Sequence, residues 1–293
     1  MENRLKLIVI NEIKRRQGHY PSQNQMSKAL GLSASQLSKI LNGQYQRVLS
    51  DDNFMRIAHE LGVDLHGSNW KTAVTPTFDM VVKQLATCQD EGISAILVDA
   101  AGVGKTHAAR DFSRNNKNVV YVDCSQVKTK QLLVRDIARK FGLTHTGRYA
   151  DVYNNLVYSL KSGFGNLIIL DEAGDLAYPA FLELKALWNA TEGLVGWYMM
   201  GADGLKSKIN RNIDNSKVGY TELFRRFGER FQQVTPFGKE ETENFKRSQL
   251  AIVARANGMT EVQKLYAKTS GSLTRLKIEY LKKKRIENLE KAK

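Results

Sequence analysis

The sequence predicts an α/β fold: a parallel sheet covered by helices on both faces, with an all-helical unit before it and a small helical unit after it. Three observations carry that expectation. From about residue 78 to 235, short apolar runs alternate with helical periodicity, at Ile93 to Asp99, Asn118 to Asp123, Leu167 to Asp171, Gly196 to Met200 and Phe231 to Thr235. The first run passes through a glycine-rich turn, Asp99-Ala-Ala-Gly-Val-Gly-Lys-Thr106, into a helix-compatible stretch, and the third ends in Asp171-Glu172. The flanking segments, 1 to 64 and 236 to 293, carry helical patterns without a strand signal.

At 293 residues the chain is longer than one typical domain, and 42% apolar with 25% charged residues is the composition of an ordinary globular protein. No apolar run approaches the roughly 18 residues of a membrane span. The start, Met1-Glu-Asn-Arg-Leu-Lys, meets Asn11, Glu12 and Lys14 too soon for a secretory signal. An intracellular chain with no membrane role is expected. Cys88 and Cys124 form no metal-ligand spacing and fit a reducing compartment. The net charge of +14 divides as +3 for residues 1 to 70, +4 for 71 to 234 and +7 for 235 to 293. Nucleic acid is the natural partner of such an excess, through counterion release, although a basic surface can also be simply solvated.

In the first unit, Met26, Leu30, Leu32, Leu37 and Ile40 take the spacing of the buried positions of a helix-turn-helix, with Gly31 at the turn. The second helix is expected from Ala34 to Leu41, capped by Ser33 and ended by Asn42-Gly43. Ser35, Gln36, Ser38 and Lys39 lie on its outer face, with Ser35, Gln36 and Lys39 the candidate DNA contacts. About twenty residues resemble the Cro/repressor class, departing at Ser27, where a small alanine is usual. The competing reading is a small bundle used for protein contact. Residues 65 to 77 lose periodicity and hold Gly, Ser and Pro, so they read as a linker.

The glycine-rich turn sits where a strand meets a helix N-terminus, the geometry that receives phosphate. Gly102, Val103, Gly104, Lys105, Thr106 and His107 form the expected nucleotide-binding run. Lys105 reaches β- and γ-oxygens, and the Thr106 hydroxyl holds Mg2+ with Asp171 completing the metal shell. Glu172 orients or deprotonates the attacking water. Asp99 stands where such loops usually begin with glycine. These residues predict ATP and Mg2+ as ligands and ATP hydrolysis as the reaction.

Beyond the fifth strand, Ser270-Gly-Ser-Leu-Thr-Arg275-Leu276 resembles the sensor 2 element of AAA+ ATPases, which implies that Arg275 reaches the γ-phosphate. Before that strand, Leu223-Phe-Arg225-Arg226-Phe-Gly-Glu-Arg230-Phe resembles the segment that presents an arginine finger to a neighbouring subunit. Arg226 is the first candidate, with Arg225 and Arg230 as alternatives and a surface ion pair as the plain reading of each. Sensor 1 is weak: Ala202 ends the fourth strand and has no polar side chain, so Asp203 serves or the function is reduced and hydrolysis slow.

A repressor-like helix-turn-helix (1–64), a linker (65–77), an AAA+ core (78–235) and a small helical lid (236–293) together resemble the phage Mu transposition protein B family over nearly the whole chain. The resemblance implies an ATPase that binds duplex DNA largely without sequence preference, assembles as a helical filament or ring, selects transposition target DNA and stimulates a transposase. It further implies a cytoplasmic protein of bacterial or phage origin. DNA would then lie against Lys128, Thr129 and Lys130 after the second strand, and against Lys206, Lys208 and Arg211 after the fourth. The plain reading of each of those lysines is solvated helix charge. Two other functions stay open: a nucleotide-controlled helix-turn-helix regulator that reads an operator, and a helicase or initiator loader.

Overall fold

The computed structural model describes residues 1–65 and 69–291. Its amino-terminal unit contains α1 (Asn3–Arg15), α2 (Gln23–Ala29), α3 (Ala34–Leu41) and α4 (Asp51–Leu61). Ser22, Ser33 and Ser50 each accept a backbone N–H in the first turn of the helix they precede. Met26, Leu30, Leu37 and Ile40 are buried with Phe54 and Ile57 in one apolar cluster. Gly31 takes φ +62° in the corner between α2 and α3, and the Arg56 guanidinium donates to Leu30 O and Gly31 O. Ser27 fits its buried place because its hydroxyl donates to Asn24 O at 2.8 Å.

The central unit runs α5 (Pro76–Glu91), β1 (Ser94–Val98), α6 (Lys105–Asn115), β2 (Val119–Asp123), α7 (Lys130–Lys140), α8 (Tyr149–Ser162), β3 (Asn166–Asp171), α9 (Tyr178–Ala190), β4 (Val195–Gly201), α10 (Asp203–Asp214), α11 (Tyr220–Arg226) and β5 (Phe231–Gln232). The strands pair in parallel in the order β2-β3-β4-β1-β5. Ile168, Leu170, Trp197 and Met199 pack into one apolar layer, while Leu167, Ile169, Tyr198 and Met200 pack into the other. That double burial explains why these strands read as continuous apolar runs.

The fifth strand is shorter than expected. Val234 and Thr235 give their N–H groups to the Asp99 carboxylate, each at 2.8 Å, and so leave the ladder after Gln232.

The lid comprises α12 (Lys239–Ala256), α13 (Val262–Thr269) and α14 (Leu273–Lys291), packed on Leu250, Val253, Ala254, Leu276 and Tyr280. Of the expected linker, His66, Gly67 and Ser68 lie outside the described residues. Its later part is bound to the lid: Trp70 stands edge-on to Tyr280 at 5.2 Å, and Lys71 exchanges backbone hydrogen bonds with the Asn257 amide. Pro76 and Thr77 already belong to α5, with Thr75 as the cap and proline in the first turn.

The helix-turn-helix unit lies against α6 and α7. Glu60 pairs with Arg139 at 3.0 Å, and Arg15 donates to the Asn115 side chain at 3.0 Å. Gly142 lies so close to the Gln25 backbone that a Cβ there would meet Gln25 O at 2.1 Å. These contacts come from α1, α2 and α4, which leaves Ser35 and Lys39 of α3 exposed.

Candidate functional site

All the residues of the phosphate turn meet at the carboxyl ends of β1 and β3. Gly102 and Gly104 take φ +80° and +106°, so the backbone turns into α6 where a side chain would be strained. A Cβ on Gly102 would also lie 2.6 Å from Ser272 Oγ. Asp99 fixes the start of the turn. Its carboxylate accepts from Ala100 N at 2.7 Å as well as from Val234 N and Thr235 N, tying the loop to the end of β5.

Lys105 is buried, and its ammonium donates to Asp99 O at 2.6 Å and Ala100 O at 2.8 Å. Burial draws it below the ordinary ammonium range; Asp99, Asp171, Glu172 and Asp203 oppose that shift. Thr106 Oγ1 donates to Asp171 Oδ2 at 2.7 Å. The Tyr121 hydroxyl donates to the same oxygen at 2.6 Å, and Glu172 N donates to Oδ1 at 2.9 Å. Two hard oxygen donors, Thr106 and Asp171, thus stand together beside the phosphate turn, a set suited to Mg2+ shared with substrate phosphates. Among the described residues no group of three or more His, Cys, Asp or Glu could hold a metal ion by itself.

Glu172 follows in the left-handed region at φ +50°, with its side chain exposed toward the cleft. Burial and then the neighbouring Asp171 raise its carboxyl above the usual range, in the direction a general base needs. Val103, between the two glycines, is buried. His107 Nε2 lies 2.9 Å from Thr72 Oγ1; burial holds its imidazole low, and the Lys277 ammonium adds to that effect. Asp203 opens α10, and Ala202 lines the cleft.

The cleft itself, about 1560 Å³, is bounded by the phosphate turn, by Trp70 to Ala73, by the start of α14 and by the helix-turn-helix unit. The sensor-like motif reaches the turn, since Leu273 N donates to Gly102 O at 2.9 Å. Arg275 does not line the cleft. Thr274, Lys277 and Leu281 do, because spacings of three and four residues share a helix face, whereas Arg275 lies about 200° from Lys277.

The arginine cluster is also sorted by the fold. Arg226, expected to project, lies with its guanidinium 5.1 Å over the Trp188 ring, and its Nη1 is buried without a hydrogen-bond partner among the described residues. Arg225, 3.7 Å from Glu229, and Arg230 are exposed.

Of the candidate DNA contacts, Lys128, Thr129 and Lys130 are exposed at the start of α7, where Thr129 is the cap. Lys128 pairs with Asp175 at 3.1 Å, and Lys130 stands 5.6 Å over the Tyr149 ring. Lys206 and Arg211 are exposed on α10. Lys208 is turned inward: its ammonium donates to Gly174 O at 2.7 Å and Leu176 O at 2.6 Å, and lies 5.2 Å over the Phe181 ring. On α3, the Gln36 amide is engaged locally, accepting from Ser33 N at 3.0 Å and donating to Val48 O at 3.4 Å, and Ser35 and Lys39 are exposed on that face.

Residues 89–209 match the family model described as AAA domain, and residues 14–67 match a helix-turn-helix model. The Mu-like prophage FluMu DNA transposition protein B of Haemophilus influenzae is 26% identical over 210 residues, 70% of this chain and 72% of that protein. The ATP-dependent target DNA activator B of Escherichia phage Mu is 25% identical over 249 residues, 82% of this chain and 75% of that protein. The chain is similar to these phage Mu transposition B proteins over most of its length. A solved structure, the Aeropyrum pernix ORC1 protein in complex with DNA, superposes with a TM-score of 0.47 at 19% identity over 67% of this chain and 51% of that one. The protein is an ATPase, built on an AAA+ core with a helix-turn-helix unit before it and a helical lid after it.

Four participants were not visible in the sequence. Tyr121 was hidden in a strand, and the Trp70 to Ala73 wall lay in a stretch read as linker. Lys277 was two residues from the motif arginine, and Asp99 had no sequence signal for its contact with β5.

Proposed function

We propose that the protein is an ATP-dependent, largely sequence-nonspecific DNA-binding ATPase that assembles on duplex DNA as a helical filament or ring, selects transposition target DNA and stimulates a partner transposase. The observation that carries this reading is the joining of Thr106, Asp171 and Glu172 at one end of the sheet, with exposed cations on α7 and α10, the helices that follow β2 and β4 from that same end. Lys105 binds β- and γ-oxygens, and Glu172 takes or orients the proton of the attacking water. Thr106 and Asp171 would hold Mg2+, which when bound neutralises charge on the phosphate oxygens. The nucleoside lies along Trp70 to Ala73, and a cation of α14 closes on the phosphates from the lid side.

An arginine from the cluster Arg225, Arg226 and Arg230 enters the neighbouring subunit's site, so hydrolysis depends on assembly. Lys128, Thr129, Lys130, Lys206 and Arg211 contact phosphates and position DNA without reading bases. The names of the relatives, a DNA transposition protein and a target DNA activator, support the biological role. The absence of a membrane-crossing helix among the described residues is compatible with action in the host cytoplasm.

The exposed Ser35 and Lys39 favour a second reading, a nucleotide-controlled regulator that reads an operator. Electron microscopy of the protein with duplex DNA and ATP separates the two. Ordered filaments or rings on any sequence support the first reading, and discrete dimers on one sequence support the second.

A further inference from the structure

Lys208 and Lys128 hold the same short segment in different ways. The segment runs from Glu172 to Ala177. It begins with the left-handed Glu172, and Asp175 N donates to Glu172 O at 2.9 Å to close a tight turn. A non-glycine residue at φ +50° persists only where its surroundings hold it.

On one side, Lys208 gives two protons to Gly174 O and Leu176 O and stands over Phe181. It is half-buried, and burial draws its ammonium below the ordinary range. On the other side, the loop before α7 makes two contacts of unequal permanence. Ala177 N donates to Lys128 O at 2.8 Å, a backbone bond that survives any side-chain movement. The Lys128 ammonium meets Asp175 Oδ2 at 3.1 Å, with both side chains about half exposed. An exposed ion pair of that kind exchanges readily for a competing anion.

We propose that Lys208 is a positioning residue for Glu172 rather than a DNA contact, and that the Lys128–Asp175 pair is the point at which DNA is sensed: a DNA phosphate replaces Asp175 on Lys128, and the freed turn lets Glu172 reach the attacking water. This rests on the reading that DNA phosphates contact Lys128. Lys208 keeps the far side of the segment fixed to α10, the helix opened by Asp203, so that movement is confined to the turn itself. Because Asp175 and DNA compete for one ammonium, the coupling is reciprocal: whatever weakens the pair strengthens DNA binding.

The test uses the full chain with ATP, reading turnover with and without duplex DNA and DNA affinity across a salt titration. Asp175→Asn is expected to raise DNA-independent turnover and DNA affinity, each by up to about fivefold, the scale of an exposed ion pair. The ratio of DNA-stimulated to basal turnover should fall toward one. Lys208→Met is expected to lower turnover several-fold with and without DNA, at a KM for ATP within about twofold of wild type. Its slope of log K against log salt should be unchanged, since a lost phosphate contact would flatten that slope by about 0.9. Lys208→Arg should restore part of the turnover, and thermal melting of both variants checks that the fold is intact. An Asp175→Asn variant with the wild-type stimulation ratio overturns the sensing role, and a flattened slope in Lys208→Met overturns the positioning role. Lys128→Ala separates the premise: if it leaves DNA affinity and slope unchanged, the placement of DNA fails, whereas weakened binding with an unaltered Asp175→Asn ratio rejects the coupling alone.

Discussion

The phosphate turn rests on a local motif and the helix-borne cations on a family resemblance, and the structure treats them differently. From Gly102 to Thr106 and at Asp171 and Glu172, the side chains of the motif come together at one end of the sheet, because their geometry is set by the backbone within a few bonds. Gly102 and Gly104 make the turn, the helix start places Thr106, and the strand end delivers Asp171 within 2.7 Å of it. Lysines and arginines on α10, α11 and α14 carry no such local constraint. A shift of one or two residues along a helix turns a side chain by about 100° or 200°, from cleft to solvent or from solvent to core. Lys208 is drawn into the molecule while Lys206 is not, Arg226 lies on Trp188 while Arg225 faces solvent, and Lys277 lines the cleft while Arg275 does not.

The backbone-set side of that contrast breaks most readily at the reacting centre. Lys105→Ala should abolish ATP binding. Glu172→Gln should retain ATP and lose turnover by about 1000-fold, within the range for a general base; phosphate release at the wild-type rate by the Gln variant would remove Glu172 from the mechanism.

On the cation side, Arg230→Ala should lower DNA-stimulated turnover by about 100-fold, as for loss of one transition-state donor, with ATP affinity of the isolated subunit nearly unchanged. Arg226→Ala should lower thermal stability more than Arg230→Ala does, since it loses the Trp188 ring contact. The reverse ranking in both measurements would restore Arg226 as the finger.

Asp99→Ala tests whether the departure from glycine is structural. Removing a carboxylate that accepts three backbone N–H groups should cost about 3 kcal/mol in denaturant unfolding and weaken ATP binding with it. A loss below about 0.5 kcal/mol, the scale of an ordinary surface change, would mean the end of β5 holds without Asp99.

The smallest expected effect is on pH dependence. As the proposed general base Glu172 acts deprotonated, and its raised carboxyl predicts that turnover is lost, as pH falls, at a higher pH than an ordinary glutamate would give. An acid limb near about 4.3, the unperturbed value, would contradict that environment.

Much of the fold was legible because its signals are local. Ser33 as a cap and Gly31 as a turn define α3, which spans Ala34–Leu41 as expected, and runs apolar on both faces define the buried strands. The misreadings concern contacts distant in sequence. The β5 strand ends early because Asp99, more than a hundred residues away, takes the N–H groups that a longer ladder would have used. Trp70 to Ala73 lack periodicity, yet they wall the cleft by docking on Asn257 and Tyr280. Tyr121 looked like one more apolar strand residue, but its hydroxyl reaches Asp171 on the adjacent strand.

The contrast between backbone-set and face-set residues is tested most directly by ATP affinity of two full-length variants, Lys277→Ala and Arg275→Ala, measured side by side by equilibrium titration. A charge-assisted contact to phosphate is worth about tenfold in affinity. Lys277→Ala should lose about that much while Arg275→Ala stays within about twofold of wild type. A tenfold loss in Arg275→Ala with Lys277→Ala unaffected would contradict the account and return the lid contact to the motif arginine.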